Sequence, residues 1–441
     1  MTSELLVGLI GLLWLIALIA IRIPIAYSMI IVGGVGVTVL NGPAIFMAQL
    51  KDLAYAQFSI YDLSVVPMFV LMGNVATRAG LSQDLFRAAN AWLGWMRGGV
   101  AMAAIAACAG FGAVCGSSLA TASTMGRVAL PELSRYNYAG SLATGTLAAG
   151  GVLGILIPPS VVLVIYAIIV EANIVTMFMA AFIPGLIAVF FFLATIFIYV
   201  TIRPDSGPPG DAVPRQEFIE ATLRVGPVLV IFGLVIGGIY LGFFNPTPAA
   251  AVGVFLVTVY GILRGAIRLP DMRIALLDTA KTTGMIYLIL LGAEMLKIFM
   301  ARGGVPQAAA EMMATSGLPP TLILILLLFA LIVLGCLMDS LSMILLAIPF
   351  FWPVIAELDF GMGQEEVKIW FGILALIVVE LGLITPPVGM NVFVISAMAK
   401  DVPMRDTFIG VAPFFLAELV RVGLLVAFPA LSLWLPRFLA G

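Results

Sequence analysis

Residues 151–167 read GVLGILIPPSVVLVIYA, apolar enough to cross a membrane yet interrupted by Gly151, Gly154 and the pair Pro158–Pro159. A second stretch, LGLITPPVGMNVFVISA at 381–397, carries the same interruption. Lipid offers no hydrogen-bond partner, so a spanning helix has to satisfy its own backbone. Proline lacks an N–H and frees a carbonyl one turn upstream. Freed carbonyls at membrane depth are tolerated only where they are buried in protein or line a cavity. A plain proline kink accounts for one such segment. Two at matching places point to a site, where freed carbonyls can hold a cation and half-helix N-termini an anion.

The rest of the chain fits a membrane setting. Of its 441 residues, 63% are hydrophobic and 10% charged, against about 25% charged in a soluble protein. Apolar runs of about 20 residues, the length of a spanning helix, recur from end to end. The fold class is therefore an all-α polytopic membrane protein. The net charge of −2 and the lack of a basic cluster give no sign of nucleic acid. Cys108, Cys115 and Cys336 sit in apolar segments without metal-ligand spacing and read as small buried hydrophobes. Histidine is absent, which removes the usual zinc sites, catalytic triads and proton carriers. No HExxH, Walker A or GxSxG motif appears. The N-terminal MTSELLVGLIGLLWLIALIAIRIP has no basic n-region and no small-residue cleavage site, so it reads as a retained first span.

One stretch reads as a linker, RPDSGPPGDAVPRQ at 203–216, near the midpoint. On either side of it the sequence echoes itself in order. TRAGLSQ (77–83) pairs with ARGGVPQ (301–307), Ser118-Leu119 and Pro131 with Ser340-Leu341 and Pro353, and GILIPP (154–159) with GLITPP (382–387). A duplication is expected, with a first repeat over 1–202, a cytoplasmic linker over 203–217 and a second repeat over 218–441.

Crossings are expected near 4–21, 24–41, 62–79, 139–172 and 174–201, then near 218–241, 248–264, 283–300, 370–399 and 407–433. Residues 82–97 and 304–316 read as interfacial helices. Residues 99–135 and 319–356 each hold two apolar pieces too short to span comfortably and read as re-entrant hairpins. About five crossings per repeat is an odd number, so the second repeat is inverted. With the N-terminus outside, the cytoplasmic ends carry most of the arginines, among them Arg22, Arg78, Arg127, Arg203 and Arg224, while the outside holds few basic residues, among them Lys51, Arg302, Lys368 and Arg437. That bias supports the orientation.

Inverted repeats with broken helices are the architecture of secondary transporters. The hairpin tips supply the other half of each site. GSSLATAST (116–124) is rich in hydroxyls among small residues, and GCLMDSLSM (335–343) adds Asp339. Hydroxyls suit sodium or a carboxylate; small residues also serve plain helix packing. Among intramembrane charges, Asp339 at a tip and Glu380 just before the second break are site candidates. Glu294 with Lys297, and Glu418 with Arg421, stand three apart and read as structural ion pairs.

The segments CGSSLATASTMGRVALPEL, GTLAAGGVLGILIPPSVVLVIYA, TPAAAVG and LGLITPPVGMNVFVISA resemble the large membrane subunit, DctM type, of TRAP (tripartite ATP-independent periplasmic) transporters. The likeness runs over essentially the whole chain. It implies an ion-transporter-superfamily fold with two hairpins and an elevator movement. It implies sodium-coupled import of an organic acid, usually a carboxylate, across the bacterial inner membrane, with sodium as coupling ion and no cofactor. It implies two partners, a small four-helix membrane subunit (DctQ type) and a periplasmic substrate-binding protein (DctP type). One sodium site would lie at Ser117, Ser118, Gly154 and Pro158, a second at Gly335, Asp339, Thr385 and Met390. The substrate would sit near Thr121, Ser123 and Asn391. The alternatives are a carrier of the same superfamily that takes dicarboxylates without a binding protein, and, less in keeping with the missing histidine and the closed hairpins, an intramembrane enzyme or a channel.

Overall fold

The computed structural model describes residues 3–315 and 317–440. Residues 1, 2 and 441, at the outer ends of the two expected repeats, and residue 316, the last of the second expected interfacial helix, lie outside the described residues.

No strand occurs among the described residues. The first half opens with Ser3–Ala20 (α1), Ile25–Asn41 (α2), Pro43–Phe58 (α3) and Val65–Arg78 (α4). Leu81–Leu93 (α5) leads to a hairpin of Gly99–Cys115 (α6) and Ser118–Arg135 (α7). Gly140–Leu156 (α8) and Val161–Val170 (α9) are halves of one helix bent by 47° at the prolines, and Ile174–Ile202 (α10) follows. The second half repeats this order. Arg215–Tyr240 (α11), Pro246–Leu263 (α12), Leu269–Arg302 (α13) and Val305–Thr315 (α14) precede a hairpin of Pro320–Gly335 (α15) and Ser340–Ala356 (α16). Gln364–Gly382 (α17) and Met390–Met398 (α18) flank the second break, followed by Met404–Ala427 (α19) and a final Ala430–Ala440 (α20). Among the described residues, six helices are long and apolar enough to cross a membrane, or up to eight spans if the two bent pairs each count as one.

Three boundaries differ from the sequence reading. Nothing was expected over 42–61, where α3 stands. Its Gln49, Lys51 and Asp52 break the apolar run, and none of its residues is buried. The crossing expected at 283–300 is the C-terminal part of α13, which runs unbroken for 34 residues. In the first half the matching stretch is α3 and α4, bent by 59°. The crossing expected over 407–433 ends at Ala427, and α20 is separate, with Pro429 between them.

The helices pack as two groups. In one, α2 lies along α13, α12 along α4, and α1 and α11 flank them. In the other, α8 is enclosed by α6, α7 and α19, while α15, α16 and α17 pack together and α18 sits on α7 and α8. Small residues let the second group close tightly. A Cβ on Gly112 would lie 2.6 Å from the Gly154 Cα, and one on Gly382 2.5 Å from the Gly335 carbonyl carbon. Each hairpin's first arm thus meets a broken helix backbone to backbone, at matching places in the two halves.

The short α5 bridges the groups, touching α6 on one side and α11 on the other; α14 touches both α13 and α16. Asp84 of α5 is only 2% exposed and is held by Arg264 at the end of α12. Arg264 Nη2 donates to Asp84 Oδ1 at 2.9 Å, its Nη1 donates to Oδ2, and the Tyr260 hydroxyl donates to Oδ2 at 3.3 Å. The segment between α10 and α11 is strapped down as well. Gly98 N donates to Gly207 O, Gly210 N to Gly94 O and Ala139 N to Ser206 O. These bonds tie it to both ends of the first hairpin.

Removing a buried carboxylate strands its guanidinium partner, at a cost reduced here because Arg264 is about one-third exposed. Asp84→Ala is expected to destabilise the protein by about 2 kcal/mol, read as a lower melting temperature in detergent. Glu220→Ala, which breaks the exposed pair with Arg224, should leave the melt unchanged. Equal melts for Asp84→Ala and the unmutated protein would show that this contact does not anchor α5.

Candidate functional site

A cavity of about 380 Å³ lies between the two hairpin tips. Ser117 and Ser118 line it from the first tip, Asp339 and Ser340 from the second, and Met390 from the second break. Val161 and Val162 add the far side of the first break. The opposite wall comes from the other helix group: Gly73 and Asn74 of α4, Thr282 and Met285 of α13.

Local sequence dictates this meeting of helix starts. Ser117 caps α7, its hydroxyl accepting from Ala120 N at 3.4 Å. Ser160 caps α9 in the same way, accepting from Leu163 N at 3.4 Å. Asp339 caps α16, accepting from Ser342 N at 3.1 Å and from the Ser342 hydroxyl at 2.6 Å. Gly389, at φ +59°, turns the chain into α18, a left-handed backbone that glycine adopts at no steric cost. Four helix N-termini, those of α7, α9, α16 and α18, therefore face one cavity. Among the described residues, its lining holds no lysine or arginine and one carboxylate, Asp339. Partial positive charge from backbone N–H groups together with hydroxyls suits a small anion.

The expected site residues fall at different depths. Ser117, Ser118, Asp339 and Met390 line the cavity directly. Gly154 lies behind the first tip, where a Cβ would come 2.5 Å from Thr121 Oγ1 and 2.6 Å from Ser117 O. Pro158 is buried and joined to Pro159 by a cis peptide bond, as Pro386 is to Pro387. Gly335 packs on α17 and does not line the cavity. Thr385 turns its hydroxyl back to Leu381 O at 2.6 Å. Of the residues expected at the substrate, Thr121 and Asn391 are fully buried and Ser123 half-buried; none lines the cavity. Ser123 donates to Ala120 O, and Asn391 Nδ2 to Ala148 O at 3.3 Å. Thr121 Oγ1 and Asn391 Oδ1 have no hydrogen-bond partner among the described residues.

Sequence reasoning did not select Asn74 or Thr282, and it named Ser340 among the hydroxyls of the second tip without assigning it to either sodium site. Asn74 is a lone amide in the apolar LMGNVAT, and its Nδ2 donates to Thr279 Oγ1 at 2.9 Å. Glu380 was singled out as an intramembrane charge but not placed in either site. It is fully buried, and the Ser340 hydroxyl donates to its Oε1. The two pairs read as structural are both formed. Lys297 reaches Glu294 at 3.5 Å, and Arg421 bonds Glu418 and donates to Pro184 O at 3.0 Å.

The sequence matches, over residues 12–431, the family described as tripartite ATP-independent periplasmic transporter, DctM component. The C4-dicarboxylate TRAP transporter large permease protein DctM of Pseudomonas aeruginosa is 33% identical over 399 residues, covering 89% of this chain and 90% of the relative. The ectoine TRAP transporter large permease protein TeaC of Halomonas elongata is 30% identical, with 99% of both chains covered. The sialic acid TRAP transporter large permease protein SiaM of Vibrio cholerae is 29% identical, covering 97% of this chain and 98% of its own. In fold alone, the chain is similar to the YdaH transporter of Alcanivorax borkumensis, whose crystal structure revealed an unusual topology. The TM-score is 0.62 at 13% identity, over 90% of this chain and 89% of that one. By the extent of the family match and of these relatives, this membrane protein belongs to the DctM family of tripartite ATP-independent periplasmic transporters.

Proposed function

We propose that the chain is the large permease of a sodium-coupled transporter that imports an organic acid across the bacterial inner membrane. The observation that carries this reading is the convergence of four helix N-termini and two hydroxyl-bearing tips on a cavity without cationic side chains. A carboxylate placed there meets backbone N–H groups and serine hydroxyls, and sodium supplies the positive charge that the side chains lack. Sodium prefers oxygen ligands, as hard cations do. The tip carbonyls and hydroxyls near Ser117, Ser118 and Gly154, and the Asp339 carboxylate with the backbone around Thr385 and Met390, are the proposed ligand sets. The relatives are named for C4-dicarboxylates, ectoine and sialic acid, so the family does not fix which acid is carried. A small four-helix subunit and a periplasmic binding protein complete the assembly in this reading.

The helix group holding both tips is the moving block, the group of α1, α2, α4, α11, α12 and α13 is the static frame, and α5 and α14 are the arms between them. The N-terminus lies in the periplasm and the segment over 203–214 in the cytoplasm, so the second half is inverted relative to the first.

Three measurements test this. In proteoliposomes holding the chain and its partners, uptake should require a sodium gradient and survive collapse of the pH gradient. Asp339→Asn and Ser118→Ala should each lower it by about tenfold, the loss of one charge-assisted or hydroxyl contact. Uptake driven by a pH gradient in sodium-free buffer would overturn sodium coupling. For movement, a Cβ on Gly73 of the frame would lie 3.3 Å from the Cys115 Sγ of the block. A disulfide between Gly73→Cys and Cys115, which needs α4 to give slightly because the same Cβ would lie 3.0 Å from the Cys115 Cα and carbonyl oxygen, should stop uptake until it is reduced. Undiminished uptake in the verified disulfide form would rule out an elevator. For topology, all three native cysteines are buried. In a cysteine-free background, Asp205→Cys and Asn245→Cys should be labelled from opposite sides of the membrane, and labelling of both by an impermeant reagent from one side would refute the inversion.

A further inference from the structure

A second cavity, of about 180 Å³, lies between the same two helix groups. On one side it is lined by Gln57 and Ile60, at and just past the end of α3, and by Glu294 and Lys297 of α13. Glu171 at the end of α9 and Pro349 of α16 line the other side. It stands farther along α13 than the tip cavity does. Met285 lines the first and Lys297 the second, about three turns or about 18 Å apart along the helix. The internal repeat relates the two walls. TRAGLSQ (77–83) matches ARGGVPQ (301–307). Counted back from that match, Glu294 stands where Val70 stands in the first half, and Lys297 where Gly73 stands. Val70 and Gly73 both line the tip cavity. Gln57 and Ile60 correspond likewise to Lys281 and Gly284, on either side of Thr282, which also lines it. The α3 and α13 side of the second cavity is thus the counterpart of the wall that the tips now face.

We propose that this cavity is a second station on the frame, met by the tips after the block slides along α13, and that Lys297 there binds the carboxylate of the carried acid; this rests on the sliding-carrier reading above. In inverted repeats, the two positions of the moving block exchange the roles of matching frame residues. The two stations differ in chemistry. The wall the tips now face offers the neutral side chains of Asn74 and Thr282. Its counterpart offers an ammonium with three donors. The ion pair of Lys297 with Glu294 is long, at 3.5 Å, and the lysine side chain is 51% exposed, so donors remain for an anion. An ionisable pair on a membrane helix that lines a cavity is the arrangement of a solute path. Glu171 stands on the block and would leave the station with it. In the proposed orientation the Arg302 end of α13 is outside. The acid is then captured against a cation and released against an amide and a hydroxyl, which is the direction of import. The difference sets where the loaded block rests, and the sodium gradient supplies the work.

One test needs no substrate. Gly73 packs on Cys115 at the end of the first hairpin's first arm, and the repeat matches these two residues to Lys297 and Leu337. Lys297 now stands about three turns along α13 from the residues beside the second tip, too far for a disulfide with that tip. In a cysteine-free background, Lys297→Cys and Leu337→Cys should nevertheless be joined by mild oxidation, because sliding brings them together. If the disulfide of Gly73→Cys with Cys115 stops uptake but this second one never forms, the second station is overturned and the sliding carrier stands. Undiminished uptake in the first disulfide form would remove both. The other test reads charge, in proteoliposomes holding the chain and its partners. The probe is radiolabelled succinate, or lactate where the binding protein does not retain succinate. Lys297→Gln should raise the half-saturating concentration of loaded binding protein by about tenfold and leave the maximal rate within about twofold. Lys297→Arg should behave like the unmutated chain. Glu294→Gln frees the ammonium and should leave half-saturation unchanged or lower it. Equal losses of rate and melting temperature in Lys297→Gln and Glu294→Gln would mark a purely structural pair and overturn the role of Lys297. Where neither acid is retained, the Lys297→Cys and Leu337→Cys disulfide decides alone, its formation supporting the station and its absence overturning it.

Discussion

The need to satisfy interrupted backbone inside an apolar medium governs the rest of this structure. The two halves solve it differently. At the first break, Pro158, Pro159 and their neighbours are buried, and a Cβ on Gly116 of the opposing tip would lie 2.9 Å from Pro159 O. The tip's glycine therefore allows the freed backbone to be covered by protein. At the second break the chain turns on itself. Leu383 N donates to Glu380 O, Thr385 N to Gly382 O and Asn391 N to Leu383 O, while Pro386 and Pro387 remain exposed. One break is closed by its neighbour and the other by its own turns. Both leave a helix N-terminus pointing at the same space, and that is what gives the cavity its character.

Close approach is the condition for this. Glycines on the first arms, Gly112 and Gly335, sit against Gly154 and Gly382. A hydrophobic interior the size of leucine would hold the hairpins apart, and the helix ends would not converge. Packing with small residues also lets the Ser340 hydroxyl of the second tip reach the buried carboxyl of Glu380 on α17. Asn391 extends the same logic across the halves, since its side chain, on the second broken helix, donates to Ala148 O on the first.

Much of this was legible in the sequence because the features are local. The proline pairs, the hydroxyl-rich first tip, Asp339 on the second tip and the echoing order of segments each lie within short stretches of sequence. The hairpins expected at 99–135 and 319–356 match α6–α7 and α15–α16 closely. What depends on distant contact was not legible. Asn74 and Thr282 are single polar residues on long helices, and only the packing of α4 and α13 across the cavity gives them a place in it. The α3 helix escaped notice because its charges interrupt the apolar pattern that marks a span. Glu380 was visible as a charge in an apolar run, but its partner Ser340 stands far from it in sequence, so the bond between them could not be read.

The two halves of the chain differ in the helices that precede their hairpins. The first half breaks its chain between α3 and α4, whereas the second carries the same stretch as one continuous α13. A continuous helix that packs along α2 and α4 is a stiff wall, and Thr282 and Met285 lie on it facing the tips. The bent first half instead sets α4 against α12, with Arg78 paired to Asp278 at 3.1 Å and Asn74 bonded to Thr279, so α4 is locked to that wall. Asn74 and Thr282, the cavity-facing polar residues of α4 and α13, thus stand on helices fixed to one another, while the polar residues across from them stand on a hairpin or a break. In the proposed reading, a carboxylate in the cavity would face a rigid surface on one side and helix ends on the other, and sliding between the two helix groups would change which residues of α4 and α13 it meets while the tip hydroxyls stayed beside it.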